Sequence, residues 1–205
     1  PGTPRLTLSQ ALSQATPTAL LAGQSDAGDT AIFDPLSNIH CGIIGATGTG
    51  KTSSVGYSLV AQALRTGYHV AILDPKGGAD WKPWSSHAEW HASDYQTFPA
   101  QVDALYGDRI AQLRRANRKR ADATDATLDR LMRLSRVSGL HLLMIDQYPQ
   151  EWSHQVFANA KLLLIFRLGP GQGNKVGEYH AEKLPDHGRF IVRGKEYNAW
   201  FAAPH

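Results

Sequence analysis

The chain has 205 residues, 42% of them hydrophobic and 19% charged, with a net charge of +3 and a sequence pI of about 9.1. That length carries one domain with a proper core, the single cysteine excludes an internal disulfide framework, and no apolar run is long enough to span a bilayer. With no signal peptide visible, the chain reads as soluble and intracellular (cytoplasmic, or virion-associated if viral), and its mild basic excess suits a polyanionic partner without requiring one.

Residues 1–18, with Pro1, Pro4 and Pro17 among Ser, Thr and Gln, read as a flexible or lightly docked leader ahead of a single domain over 19–205. The first residue is proline and not methionine, so the chain reads as a processed or partial product. Residues 18–23 and 31–33 are short strand candidates around Ser25-Asp26-Ala27-Gly28-Asp29, which has the composition of a hairpin turn. Residues 39–44 form an apolar strand candidate, 52–65 have helical spacing, and 70–73 make the next strand. This is a βαβ pattern and predicts a parallel sheet buried on both faces. Cys41, inside the first of these strands, reads as a small buried hydrophobe.

Between that strand and that helix lies Gly45-Ala46-Thr47-Gly48-Thr49-Gly50-Lys51-Thr52, a full G-x-x-x-x-G-K-[ST] phosphate loop. Its glycines let the backbone curl until successive N–H groups face the α and β phosphates. Lys51 can then reach the β and γ phosphates, and the Thr52 hydroxyl can ligate Mg²⁺. The following helix adds the positive end of its dipole to the same anion site, and Ser53 lies in its first turn. Residues 45–53 are therefore the candidate sites for a nucleoside triphosphate and its Mg²⁺.

Beyond Asp74-Pro75-Lys76-Gly77-Gly78 the sequence turns aromatic, with Trp81, Trp84, Trp90, Tyr95 and Phe98 in a short span. Such residues pack over a core more often than they stack on bases. Helical spacing returns over 100–120 and 125–138. The first of these segments carries Arg114, Arg115, Arg118, Lys119 and Arg120, either a solvated helix face or a contact to DNA phosphates. Residues 140–145, 162–166, 190–192 and 199–202 are further strand candidates, and 169–173 is a glycine-rich loop. The nine histidines show no metal-ligand spacing.

Several landmarks after the phosphate loop resemble one family. Asp74-Pro75-Lys76-Gly77 resembles the D-P-K-G element of the FtsK/HerA superfamily of ring-forming DNA pumps. Residues 133–142, Arg-Leu-Ser-Arg-Val-Ser-Gly-Leu-His-Leu, resemble its arginine-bearing helix running into a G-[IL]-H-L strand. Gln147 and Pro149 match the Q-x-P that follows, and Ala158-Asn159 with the apolar run to Arg167 is similar to the next strand. The resemblance implies an α/β fold with a RecA-like phosphate-loop core, a mainly parallel sheet with helices on both faces. It further implies ATP hydrolysis, a homo-oligomeric ring, usually a hexamer, and translocation of double-stranded DNA. The size suits the genome-packaging or mobile-element branches. By the same resemblance Gln147 senses the γ phosphate, and Arg136, with Arg133 as rival, reaches the triphosphate of a neighbouring subunit.

One element is missing from this pattern. Hydrolysis needs an acidic pair at a strand end near the loop, to hold Mg²⁺ and orient the attacking water. No run of four or more aliphatic residues between Pro75 and Gly139 ends in such a pair. Three accounts stay open: a segment is missing near 103–122; Asp146 supplies the carboxylate while Gln147 places the water; or the chain binds nucleotide and hydrolyses it poorly, as an assembly module or switch. A small-molecule kinase fits less well, because 169–173 lacks the arginines of a phosphate lid.

Overall fold

The computed structural model describes residues 7–74, 80–92, 139–147 and 152–199. The helices expected over 100–120 and 125–138 lie outside them. Contacts divide the chain into two units, Pro1–Tyr68 with Leu142–His205, and His69–His141.

The first unit begins with α1 (Leu8–Gln14), where the sequence suggested a flexible or lightly docked leader. Thr7 and Gln10 form a reciprocal capping box: the Thr7 hydroxyl accepts from the Gln10 N–H at 3.2 Å, and Gln10 Oε1 accepts from the Thr7 N–H at 2.7 Å. Ala11 is fully buried beside Leu21. Next come β1 (Leu20–Gln24) and β2 (Thr30–Phe33), the expected hairpin, closed by the Ser25 N–H donating to the Asp29 carbonyl at 2.8 Å. A short helix, α2 (Pro35–Asn38), capped by Asp34, leads into β3 (His40–Ile44). After the phosphate loop, a wide π-type turn (Lys51–Gly56) runs into α3 (Tyr57–Arg65).

The seven-stranded sheet of this unit has the order β2-β1-β9-β8-β7-β3-β6. Here β6 is Leu142–Asp146, β7 Leu162–Phe166, β8 Arg189–Val192 and β9 Lys195–Ala199. The loop-bearing strand β3 sits between β6 and β7 and is parallel to both, with Ile44 opposite Asp146 on one side and Ile165 on the other. The other four pairings are antiparallel. The expected mainly parallel sheet is therefore corrected to a mixed one. Two of the antiparallel pairings are hairpins between sequence neighbours, β1–β2 and β8–β9; in the second, Arg193 and Gly194 both take positive φ (48° and 78°), the geometry of a tight two-residue turn that folds β9 back on β8. The last strand among the described residues is Lys195–Ala199, and of the strand expected at 199–202 all but Ala199 lies outside them.

Alternation along the strands sends two sets of side chains to opposite faces. Ile43, Leu164, Phe166 and Phe190 meet Val55 and Leu59 of the π-type turn and α3. Ile44, Ile165 and Ile191 meet Ala181 and Leu184, with Val176 of α5 (Gly173–Val176) and Trp152 packed alongside. Trp152 precedes α4 (His154–Asn159), which is capped by Ser153. Cys41 is fully buried on β3 and burial pushes its thiol well above the ordinary range, in line with a packing role. The β1–β2 turn is tied to the second hairpin by Asp26 accepting from Arg189 at 3.0 Å and from Asn198 at 2.8 Å. Asp29 and Lys195 also pair across these turns, and the Lys195 ammonium holds the Asp29 carboxyl below the usual carboxylate range.

The second unit contains β4 (Ala71–Leu73) and β5 (Trp90–Ala92), paired parallel with Ile72 opposite His91. Trp81 and Trp84 are half-buried, and the Trp84 ring meets His87 edge-on at 6.2 Å. No helix among the described residues is long and apolar enough to cross a membrane.

Gln62 of α3, fully buried, closes the contact between that helix and β1. Its Oε1 accepts from the Leu21 N–H at 2.7 Å, and its Nε2 donates to the Leu21 carbonyl at 2.8 Å and the Ser58 hydroxyl at 2.9 Å. Gln62→Ala removes these three buried hydrogen bonds, which should cost about 2–4 kcal/mol. The shift in the urea unfolding midpoint at constant slope measures it; a midpoint within error of the parent would show that the contact carries no stability.

Candidate nucleotide-binding site

The phosphate loop hangs from the ends of three adjacent strands. Leaving β3, the Gly45 N–H donates to the Asp146 carbonyl at 3.3 Å and the Ala46 N–H to the Arg167 carbonyl at 2.7 Å, so β6 and β7 each hold one of the loop's first two amides. Gly45 has φ 155°, and a Cβ there would lie 2.6 Å from the Cβ of Phe166. Gly48 and Gly50 also take positive φ (79° and 90°), as the curl requires. At the far end the Gly50 carbonyl accepts from both the N–H and the hydroxyl of Ser54. A third support comes from the turn before β8: the Gly188 N–H donates to the Thr49 carbonyl at 3.3 Å, and the Gly188 carbonyl accepts from Ala199 of β9 at 2.8 Å.

Lys51 lies within this curl, only 6% exposed. Its Nζ donates to the Gly45 carbonyl at 2.6 Å and the Ala46 carbonyl at 2.7 Å. The Thr49 hydroxyl donates to the Ala46 carbonyl at 2.9 Å. Thr52 is half-buried and Ser53 exposed, both in the π-type turn, a helical irregularity common at functional sites. The candidates at 45–53 thus fall on one continuous loop and helix start.

Gln147, at the end of β6, comes to the same place: the Thr47 hydroxyl donates to its Oε1 at 2.9 Å. Asp146 has a different engagement. Its Oδ1 accepts from the Gln147 N–H at 2.6 Å and its Oδ2 from the Trp152 indole N–H at 2.7 Å. This carboxylate therefore fixes the strand end that carries Gln147. Arg136, its rival Arg133, the basic residues Arg114, Arg115, Arg118, Lys119 and Arg120, and the 75–139 interval searched for an acidic pair (but for 80–92 and Gly139) lie outside the described residues.

A group missed in the sequence adjoins the loop. Residues 46–49 form one wall of a cavity of about 340 Å³, residues 167–170 another, and Glu182 and Asp186 complete the lining. Arg167 pairs with Asp186, and Glu182 Oε1 accepts from the Gly173 N–H at 2.9 Å. Arg167 was visible as a landmark after β7, but Glu182 and Asp186 have no motif to mark them.

The family model described as "Helicase HerA, central domain" matches residues 30–101. The pCW3 conjugation coupling protein TcpA, solved as a monomer with ATPγS, superposes with a TM-score of 0.73 at 18% identity, over 91% of this chain and 66% of that one. EssC (ATPases 2 and 3) from Geobacillus thermodenitrificans gives 0.73 at 14% identity, over 100% of this chain and 48% of that one. The cytoplasmic domain of the type VII secretion ATPase EccC of Thermomonospora curvata gives 0.68 at 17% identity, over 97% and 32%. This chain therefore spans between about a third and two thirds of the length of these structures. No curated protein matches it in sequence.

Gly45→Ala places a methyl group against Phe166 in a backbone conformation that alanine resists. It should cost about 1–3 kcal/mol of stability and displace the loop from β7. Binding of a fluorescent ATP analogue should fall at least tenfold, an effect read by anisotropy titration alongside the thermal midpoint. Binding at the parent level would show that the loop tolerates the displacement.

Proposed function

From a chain of the FtsK/HerA superfamily, we propose an ATP-driven, ring-forming motor that translocates double-stranded DNA, of the mobile-element transfer or genome-packaging kind, acting through one ATPase domain over 19–205. The observation that carries the reading is the Thr47–Gln147 hydrogen bond, which puts a strand-end amide against a phosphate loop. In a motor, such an amide is positioned to register whether the γ phosphate is present and to pass that state to its strand. The likeness to a conjugation coupling protein favours DNA as the cargo. The likeness to type VII secretion ATPases supports a broader reading in which the cargo is another polymer.

In this mechanism the loop amides hold the α and β phosphates, and Lys51 leaves the carbonyls of Gly45 and Ala46 for the β and γ phosphates. Thr52, an oxygen donor in the first helical turn, would hold Mg²⁺, which neutralises charge on the phosphates when bound. Gln147 orients the attacking water or reads the γ phosphate. Asp146 fixes that strand end through Trp152 and is also the carboxylate for hydrolysis if no other acidic strand exists, since no acidic pair ends an aliphatic run between Pro75 and Gly139. Arg136 supplies a cation to the neighbour's triphosphate, an effect worth about 10³ to 10⁵ in rate where such an arginine acts. The tract from Arg114 to Arg120 holds the DNA backbone. The competing reading is a nucleotide-controlled assembly module with weak or no hydrolysis.

Lys51→Ala is expected to abolish ATP turnover, and double-stranded DNA to stimulate the parent protein. A parent that changes oligomeric state with ATP but shows no DNA-stimulated turnover would favour the assembly module. Gln147→Ala should lower kcat more than it raises the Kd for ATP. Neutralising three cations of the basic tract should weaken DNA binding equally for all sequences and flatten its salt dependence. Inactive Arg136→Ala and Lys51→Ala subunits should recover turnover when mixed; rings that form without recovery would remove the arginine from the neighbour's site.

A further inference from the structure

The cavity beside the phosphate loop differs in chemistry from the loop itself. The loop offers amides and an ammonium, which suit anions. The cavity offers the buried Leu168 and the exposed Pro170 as apolar surface, two carboxylates, Glu182 and Asp186, and the Arg167 guanidinium already paired with Asp186. Carboxylates repel phosphate and accept hydrogen bonds from hydroxyl and amino groups. The location is equally specific: the cavity opens at the carboxyl end of β7, where the strand carrying the loop lies between two parallel neighbours, and ligands of such sheets occupy the crevice beyond those strand ends.

We propose that this cavity receives the nucleoside end of the triphosphate, with Glu182 and Asp186 accepting hydrogen bonds from the ribose hydroxyls and the base lying against Leu168 and Pro170. The proposal rests on the phosphate-loop reading and deepens it. It assigns a role to Arg167 as well. Its pairing with Asp186 holds that side chain at the cavity wall and offsets the repulsion that two acids would otherwise exert on the adjacent phosphates. Glu182 is positioned by its bond to Gly173, so its second oxygen remains for a ligand. Selectivity for a complete ribonucleotide, over bare phosphate chains abundant in a cell, would follow from this wall.

The test uses three probes against the whole chain: ATP, 2′,3′-dideoxy-ATP and inorganic tripolyphosphate, each measured by calorimetry with Mg²⁺. The parent should bind ATP about tenfold or more tightly than dideoxy-ATP, the scale of hydrogen bonds to a charged acceptor. Glu182→Gln and Asp186→Asn together should erase most of that preference while strengthening tripolyphosphate binding, because two negative charges are removed beside the phosphates. Glutamine at 182 retains an oxygen for Gly173, so an unchanged thermal midpoint is expected and separates the effect from misfolding. The proposal is overturned if the parent fails to distinguish ATP from dideoxy-ATP, or if the double variant weakens ATP and tripolyphosphate to the same extent. Failure of the parent to bind both ATP and tripolyphosphate would overturn the phosphate-loop reading itself, a result distinct from failure of the nucleoside cavity.

Discussion

The two hydrogen bonds that suspend the phosphate loop, from Gly45 to Asp146 and from Ala46 to Arg167, are the constraint on which the rest of the site depends. A loop rich in glycine has the largest conformational entropy to lose, so a single anchor would leave it an ensemble of shapes. Anchoring its first two amides to different strands defines the direction in which the following amides face. Both anchors are backbone carbonyls at the ends of β6 and β7, so the geometry depends on strand register, itself fixed by alternation of the buried residues on two faces of the sheet.

The same register explains why one residue past each strand end matters. Gln147, just beyond β6, meets Thr47, while Arg167, just beyond β7, lines the cavity. A one-residue slip of either strand would exchange core and surface positions and withdraw both side chains from the loop. Asp146 and Trp152 guard against this at β6: the indole that holds the carboxylate also packs over Gly42 of β3, where a Cβ would come within 2.7 Å of the ring. Packing and polar contact thus act on the same strand end.

Much of this was legible in the residues. The phosphate loop, the strand before it and the helix after it have unmistakable local signals, and 162–166 was bounded correctly because five successive apolar residues leave little choice. What was hidden has physical causes. α1 is a single short helix whose Thr7–Gln10 box was masked by neighbouring prolines and polar residues. β9 reads Lys-Glu-Tyr-Asn-Ala, with its first residues exposed, so hydrophobic patterning could not find it; the Arg193-Gly194 turn was the available signal. Glu182 and Asp186 reach the loop only through tertiary folding of a segment with no periodicity of its own.

The antiparallel extension of the sheet bears on how a motor of this kind could work. Gly188 is bonded on one side to Thr49 in the phosphate loop and on the other to Ala199 of β9, which in turn pairs with β1. The hairpins β8–β9 and β1–β2 are stitched together by Asp26, Asp29, Arg189 and Lys195, a largely exposed set that is individually weak. A movement of the loop on gaining or losing a γ phosphate therefore has two exits: through Gln147 into the parallel part of the sheet, and through Gly188 into the antiparallel part. The first runs through a half-buried strand held by a tryptophan, the second through the β9–β1 ladder, buried residues such as Phe190 and Ala199, and the surface ion pairs between the two hairpins.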